Sequence, residues 1–263
     1  MRYLSWLAAL TAGGLILMPV AQAGSRPTDT AVALDDGRPL VAVIDSGVAR
    51  TPELEGSLVA EFDTATFPAR PAFRPSADHG TMVATILARS AKRPIGIVSF
   101  RIDDPEGCPA GDPPPCQDDA APVVAAIRQA TDLGVSIINI SLNLQEDPAI
   151  VDAIEDAGRK GIRVVLAAGN DGLAHPGNLS MARAAFPNAV LVGALDGEGK
   201  PWRGTNLPQP GTPGYLYVWQ PGVRVPTSLA DGTAALATGT SFAAPIESAT
   251  LLGTGAAATF AAR

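Results

Sequence analysis

Five short runs that are apolar almost throughout constrain this chain more than any other feature: PLVAVID (39–45), IGIVSF (95–100), VSIINIS (135–141), IRVVLAAGN (162–170) and NAVLVGAL (188–195). A strand with one wet face alternates apolar and polar residues, so runs without alternation predict strands covered on both faces. Between them lie segments of helical character. HGTMVATILARS (79–90) places Met82, Val83, Ile86 and Leu87 on one stripe, and DDAAPVVAAIRQATDLG (118–134) ends on Gly134. DPAIVDAIEDAGRKG (147–161) has Asp147 as N-cap, Pro148 in the first turn and Gly161 past the end. Strands alternating with helices predict parallel strands joined by crossovers, hence a three-layer α/β/α sandwich with a mostly parallel central sheet. No internal repeat or linker divides residues 39–263, which read as one domain. Residues 196–236, rich in Gly and Pro, are expected to form loops and short antiparallel strands.

In such a sheet, reactive groups collect beyond the carboxyl ends of strands and at the amino ends of helices. Four polar residues fall at such edges: Asp45, His79, Asn170 and Ser241. A serine hydroxyl is a poor nucleophile at neutral pH and needs a base, an acid that orients the base, and donors for the oxyanion. The chain has two histidines. His79 opens a helix, whereas His175, in NDGLAHPGN, reads as an exposed loop residue. Each of the four also has a purely structural reading: Ser241 as a helix N-cap, His79 as a helix-start histidine, Asp45 and Asn170 as turn formers.

Three blocks, VAVIDSGV around Asp45, DHGTMVAT around His79 and GTSFAAP around Ser241, resemble the motifs of subtilisin-like serine endopeptidases, the subtilase family. A fourth, VVLAAGNDG, matches that family's oxyanion segment at Asn170, and the resemblance runs from about residue 39 to the C-terminus. It implies an Asp45–His79–Ser241 triad, with the Asn170 amide and the Ser241 N–H holding the oxyanion. The family binds polypeptide substrate as an added strand beside a Ser-Leu-Gly segment, here Ser141, Leu142 and Asn143, so asparagine replaces the usual glycine and narrows the cleft. Ala167, Ala168 and Gly169 are expected to form a wall of the primary pocket. Gly239 is read as the point of close backbone approach, and Pro245 as a first-turn proline. An α/β-hydrolase would instead show Gly-x-Ser-x-Gly and the order Ser, acid, His.

The chain departs from the family in several places. Residues 24–38, read as a short mature arm, leave no room for the domain-sized propeptide usual in subtilases. Glu247 is polar within a helix that is normally buried, and only residues 242–263 follow Ser241, so a shortened C-terminus is expected. The carbonyl-rich insertion that binds calcium in relatives is lacking; no cofactor and no dedicated metal site are expected, beyond weak calcium binding by acidic loops.

Residues 1–23 combine one basic residue, Arg2, an apolar run from Leu4 to Met18, and Ala21 and Ala23 in an A-x-A arrangement. That is the pattern of a secretory signal cleaved after Ala23, with an uncleaved anchor as the alternative. Export to the periplasm or outside the cell would let Cys108 and Cys116 form a disulfide; the other reading is two free thiols. A formal charge of −7, made one more negative by loss of Arg2, disfavours nucleic acid as a partner. After cleavage the protein is expected to be a monomer with no membrane contact. Two functions remain open on this reading: a secreted or periplasmic serine endopeptidase, or a catalytically weak or inactive subtilase-fold module that binds peptides.

Overall fold

The computed structural model describes residues 37–109 and 115–253. The expected signal peptide, nearly all of the N-terminal arm, the centre of the loop between the cysteines, and the closing AAATFAAR lie outside the described residues. Seven strands form one sheet: β1 (Leu40–Asp45), β2 (Leu58–Asp63), β3 (Gly96–Arg101), β4 (Ile137–Ile140), β5 (Arg163–Ala167), β6 (Ala189–Leu195) and β7 (Leu216–Pro221). Their order is β2-β3-β1-β4-β5-β6-β7, and every neighbouring pair is parallel.

Alternation along each strand feeds two separate cores. In β1, Ala42 and Ile44 join Val123 and Ile127 of α2 (Ala120–Asp132) and Ile154 of α3 (Pro148–Arg159) on one face. Val41 and Val43 join Val83 and Leu87 of α1 (His79–Ser90) and Ala243 of α5 (Thr240–Gly253) on the other. Covering both faces is what lets these strands dispense with polar residues, and it makes the three layers. The predicted helix signals act as read. Asp147 accepts the Ala149 N–H at 2.7 Å with Pro148 at the first position, and Gly134 and Gly161 follow their helices with φ of 65° and 80°.

Four details differ from the sequence reading. The strand β2 was not anticipated, because Glu61 and Asp63 break its apolar run; it is an edge strand and pairs only with β3. The six-residue helix α4 (Leu179–Ala184) is too short to show a period. Only β8 (Val225–Ser228) and β9 (Ala234–Ala237) are antiparallel in the Gly- and Pro-rich region, whereas β7 continues the parallel sheet beside β6, with Pro221 closing an edge strand. Pro245 lies inside α5 and not in its first turn, since the helix already begins at Thr240; its ring nitrogen cannot donate to the Ser241 carbonyl four residues earlier.

The two neighbours of β1 are β3 and β4, so the chain passes from one side of β1 to the other between them. Such a reversal opens a crevice beyond the strand's carboxyl end. Asp45 is the last residue of β1.

Candidate active site

Asp45 is fully buried, and its Oδ1 accepts the Ser46 N–H at 2.8 Å. The same carboxylate faces His79 Nδ1, at 2.9 Å from Oδ1 and 3.0 Å from Oδ2. An ionised carboxylate only accepts, so the proton sits on Nδ1 and leaves Nε2 as the basic lone pair. Burial alone would push the imidazole pKa down; the Asp45 charge and hydrogen bond outweigh it and hold the pKa above its ordinary value.

His79 is placed by the turn that follows β1. The Gly80 N–H donates to Ser46 Oγ at 3.1 Å, and a Cβ at Gly80 would collide with the Gly47 carbonyl oxygen. Only glycine lets the start of α1 seat so closely on that turn. The turn in turn rests on Glu61, a residue the sequence reading missed. Its Oε2 accepts Val48 N–H at 2.7 Å and Ser99 Oγ–H at 2.8 Å, while Oε1 accepts Phe73 N–H at 2.7 Å. Desolvation raises the Glu61 pKa despite these donors.

Ser241 is the second residue of α5 and is 9 % exposed. The ring of its neighbour Phe242 packs on the His79 imidazole, with centroids 5.4 Å apart and planes inclined at 50°. Among the described residues no hydrogen bond within 3.5 Å joins the Ser241 hydroxyl to His79. The structure therefore brings Asp45 and His79 into contact and sets Ser241 one residue from the imidazole's aromatic neighbour.

Asn170 lies just past β5. Its Oδ1 accepts both the Thr240 N–H at 2.8 Å and the Thr240 hydroxyl at 2.9 Å, and the hydroxyl itself accepts the Gly169 N–H at 3.1 Å. A backbone N–H can only donate, so the atom facing it must be the oxygen, and Nδ2 is left as a donor without a protein acceptor among the described residues. Gly169 has a φ of 103° and packs against Asn206, whose buried amide accepts the Asp171 and Leu173 N–H groups at 3.0 Å each. Asn206 carried no sequence signal; the N–H groups its side chain accepts come from 35 and 33 residues away.

The expected substrate walls are adjacent. Ser141 is buried and its Oγ accepts from Asn139 Nδ2 at 3.0 Å, while Asn139 Oδ1 accepts the Ser248 hydroxyl of α5 at 2.9 Å. Leu142 is half-buried and Asn143 exposed, Ala167, Ala168 and Gly169 are buried, and His175 is exposed. Cys108 and Cys116 form a disulfide with a Cα–Cα distance of 5.3 Å. Among the described residues no three His, Cys, Asp or Glu side chains come together as metal ligands, and no helix is long and apolar enough to cross a membrane.

Residues 36–252 match the model of the subtilase family. The chain belongs to that family. Subtilisin-like protease 10 of Trichophyton verrucosum is 29% identical over 239 residues, covering 84% of this chain and 42% of its own length. Subtilisin-like protease 2 of Arthroderma benhamiae is 33% identical over 125 residues, covering 47% of this chain and 28% of its own. The chain thus spans well under half the length of these curated relatives. Among solved structures, a cold-adapted subtilisin-like serine proteinase superposes with a TM-score of 0.65 at 24% identity, over 85% of this chain and 79% of its own. A mutant of the protease domain of PatA gives 0.62 at 23%, over 83% and 81%. At these identities the structures speak for the subtilase fold: a mostly parallel seven-stranded sheet with helices.

Proposed function

We propose that this subtilase domain is a serine endopeptidase in which Ser241 is the nucleophile, His79 the base and Asp45 the acid that orients it. The observation that carries the reading is the clamp on His79 Nδ1 by both Asp45 oxygens, which turns the free Nε2 lone pair into the base. Ser241 Oγ adds to the peptide carbonyl carbon as its proton passes to Nε2, and the buried Asp45 charge stabilises the imidazolium. The negative charge that develops on the carbonyl oxygen is met by the Ser241 N–H, the Asn170 Nδ2 amide and the amino end of α5. The imidazolium then protonates the departing amine as the C–N bond breaks, leaving an acyl-serine that water hydrolyses by the same relay in reverse. The Ser241–His79 hydrogen bond is assigned to the substrate complex, because catalytic hydrogen bonds are often long before substrate binds.

The second reading is a subtilase-fold module that binds peptides without cleaving them, in which that hydrogen bond never forms. A fluorophosphonate probe separates the two. The peptidase reading expects covalent labelling of Ser241 that disappears in Ser241→Ala and falls sharply in His79→Ala; a folded, unlabelled protein supports the binding module. The functional setting proposed is export by residues 1–23, with polypeptide as substrate and no cofactor.

A further inference from the structure

We propose that the side chain of Asn143, on a segment whose backbone is tied down by Asn178, closes the primary specificity pocket and restricts cleavage to sites that follow a small side chain such as alanine, glycine or serine. The inference rests on the peptidase reading and deepens it. Its starting point is Asn178, which is 6 % exposed and sits in the left-handed region with φ of 55°. One N–H of its Nδ2 group donates to Leu142 O at 2.8 Å and the other to Ala167 O at 2.9 Å, while Oδ1 accepts the Leu144 N–H at 2.9 Å. A single buried amide therefore ties the 142–144 segment to the end of β5. These are the two walls between which the side chain before the cut would enter, and a fully satisfied amide with fixed geometry sets their separation.

Across the same gap lies Gly177, whose N–H donates to Ala168 O at 2.7 Å and so belongs to the second wall. A Cβ placed on Gly177 would fall 2.6 Å from Asn143 Oδ1. The Asn143 side chain thus reaches from the first wall toward the backbone of the second, and its terminal oxygen is the atom that a Cβ at 177 would meet first. With glycine at 143 the space it crosses would be open. With asparagine there, a large apolar side chain must displace a polar group, whereas a methyl or hydroxymethyl need not. Pocket selectivity of this kind commonly amounts to about 10- to 200-fold per missing or surplus group.

The test uses the full chain and two fluorogenic peptides identical except for alanine or phenylalanine immediately before the cut. The unsubstituted protein is expected to favour the alanine peptide by at least about tenfold in kcat/KM. Asn143→Gly is expected to bring the ratio to near unity or invert it, chiefly through KM for the phenylalanine peptide. Asn178→Gly keeps the left-handed backbone and removes the clasp, and is expected to lower the ratio part of the way. Because both peptides meet the same preparation, the ratio is independent of how much of a variant is folded. A ratio near unity in the unsubstituted protein, or one unchanged in either variant, overturns the proposal. Fluorophosphonate uptake is read alongside. No uptake by the unsubstituted protein overturns the peptidase reading and this inference with it, whereas uptake with an unchanged ratio, or with no cleavage of the alanine peptide, overturns the pocket inference alone.

Discussion

Thr240 grips Asn170 by its oxygen twice, through its own N–H at 2.8 Å and its hydroxyl at 2.9 Å, and thereby leaves the amide nitrogen of Asn170 as the free donor beside the helix that carries Ser241. Asn170→Ala removes that donor together with the acceptor of the Thr240 N–H and hydroxyl at the start of α5. Turnover is expected to fall by about 10² to 10³ with KM little changed, the range known for an oxyanion donor in subtilisin itself. Thr240→Val, which keeps the N–H grip and loses the hydroxyl, is expected to cost less. Steady-state kinetics on one peptide would check both.

The pH dependence follows from the raised His79 pKa. Catalysis needs the unprotonated Nε2, so kcat/KM is expected to rise with pH through a midpoint above about 6.5, the ordinary imidazole value. Stability runs the other way. The native state favours protonated His79, so its contribution is complete below the unfolded pKa and fades as pH rises through the folded one. Asp45→Asn should lower turnover by about 10⁴ and move the rising limb to lower pH. A profile that is maximal in acid would contradict the assignment of His79 as base.

Glu61 touches neither substrate nor the reacting atoms, yet it joins the turn after Asp45 to the loop before His79 by accepting from Val48 and Phe73. In Glu61→Gln one oxygen becomes an NH₂ group facing donors. A hydrogen bond is lost and the Gly47 turn, against which Gly80 sits, shifts. Turnover is expected to drop by about tenfold to a hundredfold, the scale on which small misplacements act. Stability should fall by about 1 to 3 kcal/mol, from a buried donor left unpaired. Urea unfolding and single-turnover rates separate the two effects.

Glu247 is buried in α5, where burial raises its pKa against the opposing Gln220 Nε2 hydrogen bond at 2.5 Å and the charge of Arg163. Ionising it therefore costs stability, which is greatest below the unfolded carboxyl pKa and declines as pH rises through the folded value. Glu247→Gln retains an acceptor for Gln220 and cannot ionise. The variant is expected to lose that decline, and thermal midpoints measured from pH 4 to pH 8 would reveal it.

The Cys108–Cys116 bridge closes a short loop, and its loss should cost about 2 to 3 kcal/mol on chain-entropy grounds. Urea midpoints of Cys108→Ser with Cys116→Ser, against the oxidised protein, measure it; equal midpoints would show that the loop contributes nothing to global stability.

The sequence alone determined most of the parallel sheet and of the helices that cover it, and it set Asp45 at the end of β1 and Asn170 just past β5. Those signals are local: unbroken apolar runs, caps such as Asp147, and glycine stops are read within a few residues. Where local signals were mixed, the reading failed. Glu61 and Asp63 disguised β2, and Pro245, read as a first-turn proline, lies beyond the first turn of α5. What only the tertiary structure decided is which atom of each polar side chain meets which partner. Asn178 meets Leu142 from 36 residues away, Glu61 meets Ser99 from 38, and Asn170 meets Thr240 from 70. A buried amide or carboxylate takes its meaning from the donors and acceptors around it, and these come together only when distant strands close on a common core.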